Sequence, residues 1–330
     1  MTHWERIQAA LRGHEVDRPP VSLWRHFFVE ESSAAGLAGA MLAFQEKFHW
    51  DFMKVNPRAA YHAQPWGYQI RYSGQPTVGP RMVDYPVKAP TDWGKIVELS
   101  PTHGPLGEML TALRLIREGI GDEVPTVMTV FTPLSVAAYL AGSNEHLLHH
   151  LREHPKEVHV ALGAIAATFA RFGGECLAAG ASGLFLATTH WASYDLLTDA
   201  EYAEFGRPYD LQVLQPVADA PFNILHVCKE RNMLRTLADY PVAAFNWNAR
   251  HPSNPTLREG QSLTGKPVIG GIAERTTLLS GPAQAIAAEA RDATEQTGGR
   301  GFMLGAGCTF LPETPEAHLW AARQSLLGQG

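Results

Sequence analysis

The sequence predicts an α/β protein of the (β/α)8 TIM-barrel class, with an N-terminal helix and an inserted excursion near residues 56–124. Three observations lead there. Eight short β-prone apolar runs recur along the 330 residues. Most read as continuous rather than alternating, as strands buried on both faces do. Longer amphipathic stretches lie between many of them, the rhythm of a parallel sheet wrapped by helices.

The first nineteen residues read as a helix with Trp4, Ile7 and Leu11 on one stripe, stopped at Gly13. Asp17-Arg18-Pro19-Pro20 is a turn signal before the first strand. The strands are then expected at Pro20–Trp24, Asp51–Val55, Thr126–Phe131, Gly183–Thr188, Asn223–Cys228, Val242–Trp247, Pro267–Ile272 and Phe302–Cys308. Helices are expected at Leu106–Gly119, Ser143–Phe172, Thr198–Ala218, Leu234–Ala238 and Ala283–Gln296. Residues 56–124, rich in Tyr, Gly, Pro and Trp, are expected to leave the barrel and lie over its mouth, with a hairpin formed by Tyr68–Tyr72 and Thr77–Val83. No Gly/Ser linker divides the chain, so residues 1–330 are expected to form one domain. A doubly wound open sheet is the rival, because strand order is not written in sequence.

Composition narrows the function. With 45% hydrophobic and 18% charged residues the chain can bury a large core. Its 27 Lys and Arg stand against 33 Asp and Glu, a net charge of −6, with no basic block. Electrostatic capture of nucleic acid or of an anionic membrane is therefore not expected. No run of about 18 apolar residues suggests a bilayer span. The charged Met1–Arg6 start does not resemble a signal peptide. Three cysteines are too few for a disulfide framework and point to a reducing, cytoplasmic setting.

Barrel enzymes place their chemistry at the C-terminal ends of the strands. The polar residues expected there include Trp24-Arg25-His26, Asn56, Arg58, Thr132, Thr188-Thr189-His190, His226-Val227-Cys228, Asn246, Asn248, Glu274 and Cys308. His226 and Cys228 are two apart, so both side chains can face the interior. Cys308 follows Gly305-Ala306-Gly307 at the end of the last strand. One imidazole and two thiolates suit Zn²⁺, and three protein ligands with one open position is the catalytic form of such a site. The demand is that two strands that are not neighbours reach one ion. The alternative is that both cysteines and the histidine are simply buried.

Other clusters are weaker. His146, His149, His150, His154 and His159 are expected on one long helix, where i, i+4 pairs can hold a metal. Interleaved Glu145, Arg152, Glu153 and Lys156 also suit a solvated face. Cys176, among Leu and Ala, reads as structural. No phosphate loop, Cys-x-x-Cys or nucleophile elbow is present.

These residues, taken in order, resemble the uroporphyrinogen decarboxylase superfamily, and within it the corrinoid-linked methyltransferase branch. The resemblance runs through Arg6–Gly13 with Asp17-Arg18-Pro19-Pro20-Val21, Trp50–Val55, and Phe131-Thr132-Pro133-Leu134 with Tyr139-Leu140-Ala141-Gly142. It continues in Ala192–Leu197, Glu204-Phe205-x-x-Pro208-Tyr209, and Cys308 to Pro315. It implies a (β/α)8 barrel, in agreement with the strand count.

Decarboxylases of the superfamily are similar in an Arg-Gln-Ala-Gly-Arg segment. Here Arg25-His26-Phe27-Phe28-Val29 keeps only the first Arg. Their acidic residue after the second strand is replaced by Asn56-Pro57-Arg58. Their His four residues before a shared Pro is Cys308, four before Pro312. The methyltransferase branch instead resembles this chain in a zinc motif of His-x-Cys and a distant Cys, matched by His226, Cys228 and Cys308.

The resemblance implies a cytoplasmic, zinc-dependent methyltransferase that moves a methyl group between a small-molecule thiol or methylated donor and a corrinoid. That corrinoid is expected from a separate corrinoid protein or as free cobalamin, since no Asp-x-His-x-x-Gly segment is present. The alternative is a metal-free decarboxylase of the same superfamily, with Arg25, Arg58 and Arg250 as its cations. His226, Cys228 and Cys308 are the expected catalytic and metal residues. Trp24, Arg25, Thr132, Tyr139, His190, Asn246 and Glu274 are the expected substrate contacts. Glu274 or Asp195 is the expected displaceable fourth ligand. Trp66, Trp191 and Trp247 join Trp24 as candidates for an aromatic lining.

Overall fold

A computed structural model describes residues 1–326. Seven parallel strands pair in chain order: β1 (Met53–Val55), β4 (Thr126–Phe131), β5 (Gly183–Ala187), β6 (Ile224–Val227), β7 (Ala244–Trp247), β8 (Val268–Ile272) and β9 (Phe302–Ala306). The antiparallel pair β2 (Gln69–Arg71) and β3 (Arg81–Asp84) lies apart from them. Strand order never reverses, which rules out the doubly wound alternative. Segment 20–24 closes the ring. Its Val21 bridges Leu304 in parallel, and its carbonyl accepts from the Asp51 amide at 2.9 Å. The eight expected strands are therefore the eight staves of a barrel, though the first makes one bridge rather than a ladder.

Alternation along each strand sorts the core in two. Phe52, Val127, Phe185, Ala187, Ile224, Ala244, Ile269 and Met303 face inward with Trp24, and Ile7 and Ala10 of helix His3–Leu11 join this inner cluster. Their neighbours Met53, Leu184, Leu186, Leu225, Val227 and Phe245 pack outward against the helices. Polar His226 and Asn246 keep the inward parity of Ile224 and Ala244.

The helices depart further from expectation than the strands. The stretch expected as Ser143–Phe172 is two helices, Asn144–Glu153 and Pro155–Ala178. Pro155 cannot supply the amide that would continue the first. His146, His149 and His150 thus sit on one helix and His159 on the next. Leu234–Ala238 is a turn, and Thr198–Ala218 is broken at Gly206. Helices Ala34–Phe48, Pro133–Ala141 and Leu257–Thr264 escaped the reading of periodicity. The first is Ala-rich and the second almost uniformly buried, so neither shows a polar stripe, and Leu257–Thr264 spans only eight residues. Contrary to expectation, Pro155–Ala178 is long and apolar enough to cross a membrane. Its Val158, Leu162, Ile165, Phe169 and Phe172 are buried in the outer core.

The excursion supplies a wall of the mouth and the expected hairpin. Buried Glu31 anchors it, accepting from the Ala59 amide at 2.9 Å and the Tyr72 hydroxyl at 3.1 Å, and pairing with His26 at 2.9 Å.

At the opposite end, the Asp51 carboxylate holds the seam. It accepts from Arg6 Nη1 at 2.7 Å, Arg18 Nη1 at 2.6 Å and the Val21 amide at 2.8 Å, with His3 Nδ1 at 3.1 Å. Burial alone would raise its pKa. Bonds from His3, Arg18 and Val21 outweigh burial and hold it well below the usual carboxylate range. Asp51→Ala should lose ~3–5 kcal/mol, because two guanidinium groups lose a buried counter-charge. A depressed folded pKa stabilises the fold above the unfolded value of ~3.9, and this contribution fades as pH falls further. Urea unfolding at pH 7 and pH 3.5 should show the wild type falling toward the variant at the lower pH. A constant gap would show that Asp51 acts by packing alone.

Candidate active site

His226 ends the inward row of β6, and Cys228 lies just beyond the strand. Cys308 lies two residues past β9. One ligating atom from each of the three lies within 4.8 Å of the others. The two Sγ atoms are 3.7 Å apart. That distance is within reach of a hydrogen bond between the two sulfurs. The hydrogen bond from Cys228 holds Cys308 well below the usual thiol range and pushes Cys228 up in turn.

The join between strands that are not neighbours depends on backbone proximity. A Cβ on Gly307 would lie 2.5 Å from Asn248 Cα. Only glycine lets the chain after β9 pass that close to the end of β7. Lys229, immediately after Cys228, holds φ at 71°, and Ala60 and Thr189 across the mouth hold φ at 62° and 49°. Such conformations cost ~1–3 kcal/mol each and gather at functional sites.

Asn246 sets the orientation of His226. Its Nδ2 donates to Ile269 O at 2.9 Å and Ala306 O at 3.0 Å. Both amide hydrogens are thereby used, and Oδ1 faces His226 Nδ1 at 2.6 Å. Nδ1 must therefore carry the proton, which leaves the Nε2 lone pair free for a metal. The donor set of one imidazole nitrogen and two sulfurs fits zinc. No other group of three or more metal-ligating side chains occurs among the described residues. The helical histidines do not form one: His146 Nδ1 meets Ala141 O, and buried His150 Nδ1 accepts from Trp93.

Two cavities meet at the cysteines. One, of about 190 Å³, is lined by Trp24, Lys54, Asn56, His62, Phe131, Tyr139, Phe185 and His190, among others. The other, of about 260 Å³, is polar and includes Lys229, Asn248, Arg250, Glu274 and Arg275. Glu274 is buried, and its Oε2 has no hydrogen-bond partner. Burial, with Cys308 nearby, pushes its pKa up to about 7.

Of the expected substrate contacts, Trp24, Tyr139 and His190 line the first cavity and Glu274 the second, while Asn246 stands behind His226. His190 Nε2 pairs with Asn144 Oδ1 at 2.8 Å. Arg25 and Thr132 line neither cavity. Arg25 turns aside to donate to the carbonyls of His26 and Pro312. Thr132 is buried against Ser135 at 2.7 Å before helix Pro133–Ala141. Asp195 lies outside both cavities, half exposed, and pairs with Arg231 at 3.2 Å. Trp66 and Trp247 donate to the carbonyls of Val97 and Pro255 and, with buried Trp191, line neither cavity.

Lys54 and His62 are the pocket residues the sequence reading passed over. Lys54 carried a signal, a cation inside the apolar run Phe52–Val55 with the inward parity of Phe52. Burial pulls its pKa down to about 7, with the cysteines opposing. His62 carried none, because it lies in the irregular excursion.

With His226 as a ligand to added zinc, Asn246→Leu should weaken the uptake of that zinc ~10–100-fold by freeing the ring. Competition with a chromogenic chelator measures this. Unchanged affinity would mean that packing on Phe185, 5.2 Å away, orients the ring instead.

Residues 2–325 match the sequence model of the family described as Uroporphyrinogen decarboxylase (URO-D). The Methylcobamide:CoM methyltransferase MtbA of Methanosarcina acetivorans is 22% identical, covering 96% of this chain and 94% of its own. The Uroporphyrinogen decarboxylase of Parasynechococcus marenigrum is 25% identical, with 93% and 91% covered. A solved methyltransferase from Methanosarcina mazei superposes with a TM-score of 0.84 at 23% identity, covering 98% of each chain. With the barrel and its mouth in place, the match across nearly the whole chain shows that the protein belongs to the uroporphyrinogen decarboxylase family.

Proposed function

We propose that this enzyme, of the methyltransferase branch of its family, moves a methyl group between a small-molecule thiol or methylated donor and a corrinoid. The corrinoid comes from a separate protein or as free cobalamin. Zinc is held by His226, Cys228 and Cys308. The observation that carries the reading is the convergence of those three ligating atoms, with Asn246 leaving His226 Nε2 free. The similarity to methylcobamide:CoM methyltransferases over nearly the whole chain supports it.

A bound zinc ion would supply the Lewis acidity that keeps a thiol in its nucleophilic form near neutral pH. The chain's own residues do the rest. Trp24 and Phe185 wall the small cavity beside the cysteines and limit water. Glu274, with one oxygen unpartnered, is the carboxylate best placed to serve as an exchangeable fourth ligand. The open mouth leaves room for the second reactant, and positioning the two in line is the catalytic task.

The three guanidinium groups expected to serve the decarboxylase reading are already engaged. A polycarboxylate requires several free guanidinium groups. Arg25 is spent on carbonyls, Arg58 on Glu108 at 2.6 Å, and Arg250 on Asp292 at 2.5 Å.

Metal analysis of protein purified without added metal should find close to one zinc per chain, absent from both Cys228→Ser and Cys308→Ala. Methyl transfer from methylcobalamin to a thiol should fall at least ~100-fold in each, more than the loss of an orienting partner costs. A zinc-free wild type that stays folded and takes up none when offered it would sink the reading.

A further inference from the structure

The chain leaves β6 through Cys228 into a strained turn. Lys229 and Arg231, two apart, both hold left-handed φ, at 71° and 46°. Neither is glycine, so the surroundings must hold the turn in place. The side chain of Asn254, 8% exposed, does so from the loop after β7. Its Nδ2 donates to Lys229 O at 2.8 Å and to Asn248 O at 3.0 Å, and its Oδ1 accepts from the Asn232 amide at 3.1 Å. Only one orientation of the amide satisfies two carbonyls and one N–H. Asn232 in turn donates through Nδ2 to Val227 O at 3.4 Å, which closes the turn on the residue before Cys228.

The second carbonyl leads to the other cysteine. Gly307 passes against Asn248, where a Cβ at 307 would lie 2.5 Å from Asn248 Cα. One amide therefore grips the residue after Cys228 and the residue that abuts the one before Cys308. The two sulfurs, 3.7 Å apart, follow β6 and β9, which are not neighbours, and the loop after β7 is the spacer between them. Other bonds to the turn do not reach that spacer from both sides. Ser253 Oγ accepts from the Arg231 amide at 2.9 Å, and Ser193 Oγ donates to Glu230 O at 2.9 Å.

We propose that Asn254 is a positioning residue for the thiol pair. Through the carbonyls of Lys229 and Asn248 it sets how far apart Cys228 and Cys308 stand, with no hydrogen bond to either sulfur. The spacing rests on these hydrogen bonds alone, and its consequence for zinc rests on the methyl-transfer reading above. Asn246 selects the nitrogen that His226 presents, and Asn254 sets the gap that the sulfurs present.

The first probe is phenylarsine oxide, offered to the metal-stripped full chain. It joins two close thiols through arsenic and releases water. A fixed spacing raises the effective concentration of the second thiol. Asn254→Asp keeps the side chain's shape but turns a carboxylate toward two carbonyls. That variant and Asn254→Ala should bind the arsenical at least ~10-fold more weakly than the wild type. In chelator competition they should take up added zinc ~10–100-fold more weakly. Ser253→Ala, next in the chain, should change neither. Gly307→Ala pushes on the other side of the spacer and should weaken arsenical binding as well. Added to Asn254→Ala it should cost little more, since substitutions within one contact are not additive. Circular dichroism and thermal melting of each variant separate spacing from folding. Arsenical binding unchanged in folded Asn254 variants, or weakened equally by Ser253→Ala, would overturn the proposal, and so would full additivity with Gly307→Ala. Gly307→Ala leaves the bonds of Asn254 in place, so unchanged arsenical binding there overturns the spacer even where the Asn254 variants do not fold. A wild type that takes up no zinc, with arsenical binding still dependent on Asn254, overturns the metal reading alone. Zinc bound by a wild type whose arsenical binding ignores Asn254 overturns the positioning role alone.

Discussion

One amide side chain organises the functional end of the barrel. Asn246 sits on β7, in register with His226 on β6, and its amide nitrogen reaches carbonyls on β8 and β9. Four adjacent strands therefore meet on it, and they are the strands that carry or precede the imidazole and both thiols. A planar amide with two hydrogens committed has no freedom to flip, so its oxygen dictates the histidine tautomer. Replace that oxygen with a methyl group and the ring can still pack on Phe185, but nothing chooses which nitrogen faces the cysteines. The metal-type donor set thus depends on a residue that stands behind it and lines neither cavity.

The two ends of the barrel divide their labour. Asp51, Arg6 and Arg18 tie the weakest seam, where segment 20–24 makes a single bridge. The helix His3–Leu11 adds Ile7 and Ala10 to the inner core. At the other end the backbone adopts left-handed conformations at Ala60, Thr189 and Lys229, and Glu274 and His62 keep unpaired atoms. The ion pairs that close the ring gather where the strands begin, and the polar groups of the mouth gather where they end. That asymmetry is general for parallel barrels, because only the C-terminal loops are free to vary without breaking the sheet.

Polarity within the mouth is divided as well. The cysteines stand at the border of an aromatic chamber containing Lys54 and a polar chamber containing Glu274. A cation on one side and a carboxylate on the other give the border a direction.

The strands, their parity and the pairing of His226 with Cys228 were legible in the sequence. Each is a local consequence: apolar runs mark buried strands, and a two-residue spacing returns a side chain to the same face. The resemblance added Cys308 to that pair, which spacing alone could only permit. Other features were decided by the tertiary structure. Arg25 stands beside a mouth residue in sequence, yet it turns to satisfy two carbonyls. Asp195 reached the surface and Glu274 the cysteines, although both follow strands in similar loops. The role of Asn246 needed four strands brought side by side, and that of His62 needed the irregular excursion folded over the mouth. Periodicity reports which face a residue occupies on its own element. Which partners wait on that face depends on closure of the ring, a contact between residues 21 and 304 that no local pattern encodes.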